Sequence, residues 1–226
     1  MLTEDYIMRM ISQAVSALIH IARLKQARQY QQAQQAIDQS LEQLLGLRAD
    51  LLKQLDDEVI FRMLTLQEQL DIERVVVIAD LFKVEGDILA DQDRLAESQQ
   101  SYLRALNFYL EAGLTDQTVP PSPTLTQQIE SLASQPAILP LPDDIQWSLF
   151  NYYELSADYT RADVALAELA SRPGVYTDLQ PEMIAFYQRL LTLSPTELTR
   201  THLDREQVRE KLDRVRLQDK AVRNTR

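Results

Sequence analysis

Cysteine is absent from this 226-residue sequence. That removes disulfides, thiolate nucleophiles and cysteine-based zinc or iron–sulfur sites. Glycine is scarce, at 4 residues, which argues against tight turns, phosphate-cradling loops and a β-rich fold. The two histidines, His20 and His202, lie far apart and form no metal-spaced pair. No Gly-rich phosphate loop, nucleophile elbow or zinc-helix motif occurs. The Glu-x-x-His spacing of a di-iron bundle is missing. Asp87 to Asp91 lacks the glycine and alternating ligands of an EF-hand. No stretch approaches the roughly 18 uninterrupted apolar residues of a membrane span. Glu4 and Asp5 stand where a signal peptide would be basic. The expectation is a cytoplasmic, non-enzymatic protein with no cofactor and no metal.

What the sequence does contain is helix-forming material. Hydrophobic residues make up 45%, enough for a real core. Leu, Ala, Gln, Glu and Arg, good helix formers, are abundant. The net charge is −11 and unevenly spread: the body is acidic, whereas residues 204–226 carry +3. An acidic body repels nucleic acid and anionic lipid. The basic tail, Arg205 to Arg226, reads as a solvated helix laced with salt bridges.

Apolar spacing places the helices. The first starts near Thr3 and carries Ile7, Ile11, Ala14, Val15, Leu18, Ile19 and Ala22 in a stripe wide enough to need more than one neighbour. The second runs from about Tyr30 to Leu45 and stops at Gly46. A short helix follows at Leu51–Leu55, then an inserted one capped by Asp56 and Asp57 and extending toward Leu70. Long helices are expected over about 72–90 and 94–112. Six of the nine prolines fall in 115–142, which breaks continuous helix and marks 114–142 as a linker holding one short helix around 125–134. Beyond it come a hairpin (143–157 with 160–171), a helix at about 181–193, a Ser194-Pro195-Thr196-Glu197 capping signature and a polar C-terminal helix at about 204–221. The domains expected are thus 1–113, the linker 114–142, and 143–226.

Antiparallel helix pairs prompt a search for repeats. Gly86, Leu89, Leu95, Tyr102 and Ala105 fall at the small and large positions of a tetratricopeptide (TPR) unit, with Ser98 where alanine is usual and Asp93 where the turn glycine is usual. Tyr30, Ala33 and Ile37 give a second match, and Tyr153, Tyr159, Ala162 and Leu166 a third. Over about half its length the chain resembles TPR proteins, and its N-terminal two thirds resemble small bacterial TPR-like proteins with no assigned role. The fold this implies is all-α, with helical hairpins stacked as a degenerate right-handed TPR-like array.

The resemblance implies a groove lined by the first helix of each pair. Carried over by position, it presents Asp80, Lys83, Asp87 and Asp91 from one unit and Asp144, Trp147, Asn151 and Glu154 from another. Such a groove is acidic and would favour a basic or neutral protein or peptide. The first unit instead presents apolar residues. Its groove positions, Val15, Leu18 and Ala22, are expected to be covered by the inserted helix or by a second copy, with Ile7, Ile11, Val15 and Leu18 as the homodimer contact. Lone Trp147 is expected in the core of its hairpin, near Phe150 or Tyr152. The competing reading is a small-ligand sensor or enzyme accessory subunit, with a pocket among Tyr102, Phe108, Tyr109, Trp147 and Tyr153.

Overall fold

The computed structural model describes residues 2–115, 121–174, 176–194, 197–198 and 204–223. His202, Pro120, Pro195, Thr196 and Arg226 lie outside them. The fold is all-α. Among the described residues, strand is confined to one small hairpin, β1 (Thr65–Leu66) with β2 (Gln69–Leu70). The chain divides into two compact units, Met1–Leu141 and Pro142–Arg226.

The first unit holds α1 (Leu2–Gln26), α2 (Tyr30–Leu45), α3 (Ala49–Leu52), α4 (Asp57–Leu64), α5 (Ile72–Asp91), α6 (Leu95–Thr115), α7 (Pro123–Ala133) and a 3-10 turn at Pro136–Ile138. Helix α5 is central. It packs chiefly on α6 and also on both members of the α1–α2 hairpin. Its β-branched run from Val75 is helical, with Val75, Val77 and Ile78 buried, because burial on several sides overrides local strand preference. The side chain of Asp71 caps α5, accepting from the Arg74 N–H at 3.1 Å. Gly46 ends α2 in the left-handed conformation (φ 70°) that glycine adopts without strain.

Helices α5 and α6 meet at a small-residue crossing. A Cβ on Gly86 would lie 2.6 Å from Cδ1 of Tyr102. Ser98 is buried and donates to the Gly86 carbonyl at 2.8 Å, which adds an interhelix hydrogen bond at the crossing.

Two sequence expectations are corrected. The insert does not continue as helix to Leu70: α4 stops at Leu64. Gln67 and Glu68, both at positive φ (50° and 65°), turn the chain into the β1–β2 hairpin with the backbone twist of a two-residue turn. The proline-rich stretch is not a linker in its described part. Helix α7 and the 3-10 turn pack on α6 and lie in the first unit, since Leu125, Ile129, Leu132 and Ile138 supply a buried apolar edge.

The second unit comprises α8 (Asp143–Leu155), α9 (Tyr159–Ala170), α10 (Tyr176–Thr192) and α11 (Arg205–Arg223). Phe150 and Phe186 meet edge-on at 5.3 Å and 80° in its core. Helix α10 starts ahead of the expected proline, so Pro181 lies inside it. Ser194 and Glu197 form a reciprocal capping box: the Glu197 carboxylate accepts from the Ser194 N–H at 2.9 Å, and the Glu197 N–H donates to the Ser194 hydroxyl at 3.2 Å. On α11, Val208, Leu212 and Val215 are buried, but Leu217, expected in the same stripe, is 66% exposed.

The turns of α1–α2, α5–α6 and α8–α9 share one geometry. Each has three residues, the middle one at positive φ: Arg28 (57°), Asp93 (61°) and Ala157 (58°). In each, that residue's N–H bonds to the carbonyl three back, at Lys25, Ala90 and Glu154. The next N–H bonds five back, at Leu24, Leu89 and Tyr153.

Candidate functional site

The apolar arc of α1 is wider than its neighbours can cover. Ala14, Ile21 and Leu24 are buried against α2 and α5. The arc continues onto the open side through Ile7, Ile11 and Leu18, all half-buried, to Met8 (50% exposed), Val15 (46%) and Ile19 (55%). The inserted α4 does not lie over this edge. It packs against α5, and Phe61 meets Phe108 of α6 at 4.5 Å. With 25 residues against 16, α1 also outruns α2 by about 13 Å at 1.5 Å per residue. No acidic residue occurs between Tyr6 and Ile37, while Arg9, Arg23, Lys25 and Arg28 do. An apolar, locally basic helix thus stands on an acidic chain. Tyr6–Gln26 has the length and mean hydropathy (1.2) of a membrane-crossing helix, although its inner face is packed on protein.

The acidic residues expected to line a groove on α5 are engaged within the first unit. The Asp80 carboxylate accepts from the Tyr109 hydroxyl. Lys83 donates to Gln128 of α7 at 2.8 Å. Asp87 accepts from the Tyr102 hydroxyl at 2.8 Å and pairs with Lys25 of α1 at 3.2 Å. Asp91 is more open and lies 3.9 Å from the same lysine. Burial holds the Asp80 carboxyl above the usual aspartate range, while the Tyr109 hydrogen bond and Lys83 pull it back. The remaining residues of the expected groove sit on α8. Asp144 is exposed in its first turn and Asn151 is half-buried. Glu154 is held by a two-pronged contact from Arg189, at 2.7 and 2.8 Å. Trp147 is half-buried, its ring 5.3 Å from Phe150.

A second polar feature escaped sequence reading. Glu85 faces inward on α5 and is only 5% exposed. It accepts from Gln34 at 2.5 Å and Ser101 at 3.2 Å, and pairs with Lys53 at 2.8 Å. Lys53 also donates to Asp38 at 2.8 Å. Burial lowers the Lys53 pKa, but Glu85 and Asp38 outweigh it and raise it overall. Nearby, Arg104 of α6 holds Asp57 at 2.7 Å and stacks over Phe82 at 4.5 Å. The Asp57 carboxylate, read from sequence as a helix-start charge, instead ties α4 to α6 through Arg104 and Asn107. No local pattern announces these partners, which lie about fifty residues apart in the chain.

The aromatic residues of the competing pocket divide between the units. Tyr102, Phe108 and Tyr109 are buried on α6, and Trp147 and Tyr153 belong to α8. Among the described residues, no group of three or more His, Asp or Glu side chains could hold a metal.

Packed helical hairpins of this kind define an all-α protein. The family described as "Family of unknown function (DUF6483)" matches residues 1–220, and the chain belongs to it. No curated protein and no solved structure matches the chain.

Proposed function

We propose that this chain is a non-enzymatic, TPR-like interaction scaffold that works as a homodimer, with the open face of α1 as its docking surface. The exposure of Met8, Val15 and Ile19 beside half-buried Ile7, Ile11 and Leu18 carries the reading. A contiguous apolar edge of this kind marks an interaction surface. The intramolecular candidate for covering it, α4, is committed to α5 and α6. A second α1 supplies the matching apolar surface, and a two-fold axis lets one stripe serve both partners. The chain's net charge of −11 opposes approach to an anionic lipid surface, and Lys25 on α1 is already paired with Asp87. The TPR-like part of the reading is supported by α5 packing on both helices of the preceding hairpin, by the Gly86–Tyr102 crossing and by the shared turn geometry. Since Lys83 and Asp87 are spent on internal partners, the docking role moves from α5 to α1.

Sedimentation of the full chain between 5 and 200 µM tests this. A dimer that Val15→Glu with Ile19→Glu converts to a folded monomer is the expected result. A wild-type chain that stays monomeric throughout, or that remains monomeric and binds phosphatidylglycerol vesicles through α1, overturns it.

A further inference from the structure

A cavity of about 400 Å³ opens among α5, α6 and α7. Its walls are mainly apolar, formed by Ile72 and Val76 of α5, Ala112 of α6 and Leu125 of α7. Its volume falls within the range of small-ligand sites. Asp80 is the one charged side chain in the lining. Tyr109, fully buried, donates to Asp80 Oδ1 and so fixes the carboxylate. Oδ2 has no hydrogen-bond partner among the described residues. Lys83, the nearest cation on the same helix, is directed to Gln128.

We propose that this cavity is a binding site for a small hydrophobic amine, its protonated nitrogen on the Asp80 carboxylate and its apolar body against Ile72, Val76, Ala112 and Leu125. The chemistry follows from the lining. A carboxylate in apolar surroundings makes a charge-assisted hydrogen bond to an ammonium that is roughly twice as strong as a neutral one. Phosphate- and carboxylate-bearing ligands meet no cation in the lining itself, where Lys83 is turned to Gln128, and are repelled by Asp80. The apolar walls reject fully polar cations, whose hydration they cannot replace. Burial, which lifts the Asp80 pKa, marks the same group as one whose surroundings lack a sufficient counter-charge. The site shares no residue with the α1 face and stands whether or not the chain dimerises.

The test uses the full chain labelled with nitrogen-15, titrated at neutral pH with 2-phenylethylamine, 2-phenylethanol and 3-phenylpropionate. The amine should shift the amides of Val76, Gly113 and Leu125 saturably. The neutral alcohol should bind about tenfold more weakly or worse, and the anion should give no saturable shift. Asp80→Asn should reduce the amine to the affinity of the alcohol. Equal binding of amine and alcohol, no shift of these amides with any of the three, or full amine affinity in folded Asp80→Asn would each overturn the proposal. The comparison of the three compounds on the wild-type chain stands without the variant.

Discussion

The ring of Tyr102 occupies the space a side chain at Gly86 would need: the Cβ position of residue 86 is 2.6 Å from Tyr102 Cδ1 and 2.7 Å from Cε1. Tyr102 is itself 3% exposed and tied to Asp87 by its hydroxyl, so the ring has no free space into which to retreat. Gly86→Ala should therefore destabilise the chain by about 1–3 kcal/mol through overpacking, despite the ~1 kcal/mol that alanine gains over glycine within a helix. Urea unfolding followed by circular dichroism measures this. In a Tyr102→Ala background the same change should cost far less, because the two residues couple directly.

Glu85 is a buried charge whose cost is offset by its donors. Lys53→Met removes the cation and leaves the carboxylate in a nearly closed site. The expected loss is about 3 kcal/mol, typical of breaking one side of a buried pair. Adding Glu85→Gln should restore much of it. Equal stability of the single and double variants would show that Gln34 and Ser101 alone satisfy Glu85.

Asp80 should make stability fall as pH rises. Its folded pKa is raised by burial, so the folded state binds the proton more readily than the unfolded chain. The favourable contribution is complete below the unfolded value of about 3.9 and is lost as pH climbs through the folded value. Glu111, also raised by burial, acts in the same direction. Asp80→Asn should thus be more stable than wild type at neutral pH, with the two converging in acid. Thermal unfolding across that range is the check.

The left-handed turn residues give a matched pair of backbone tests. Ala157 stands at φ 58° and Gly46 at φ 70° with no atom within 4 Å of its Cβ position. Ala157→Gly relieves a strain of roughly 1 kcal/mol, offset in part by added freedom in the unfolded chain, for a net gain of about 0.5 kcal/mol. Gly46→Ala imposes the strain with no steric term and should cost about 1 kcal/mol. Melting temperatures should move in opposite directions.

Much of the architecture is legible in sequence because its causes are local. Gly46 stops α2, Ser194 and Glu197 cap one another, and the small-and-large spacing of Gly86 and Tyr102 marks a crossing. The β1–β2 turn was hidden because Gln67 and Glu68 take a conformation usually given to glycine or asparagine. The helix at α7 is legible in sequence, but proline density assigns it to a linker, and only the packing of Leu125, Ile129 and Leu132 places it in the first unit. The surfaces were less legible than the helices. Lys25 and Asp87 meet across 62 residues, and only folding reveals that this part of the acidic stripe is already paired. The stripe on α1 was visible, but which of its edges stays open depends on where α4 goes.

The three equivalent turns lie at Arg28, Asp93 and Ala157, 65 and then 64 residues apart. The chain is therefore built in long strides, each one regular hairpin followed by a connector of nearly constant length and free content. In the first stride the connector is α3, α4 and a β-hairpin; in the second it is α7 and a 3-10 turn. The Asp80 cavity, walled on one side by a connector helix, therefore lies wholly within one stride.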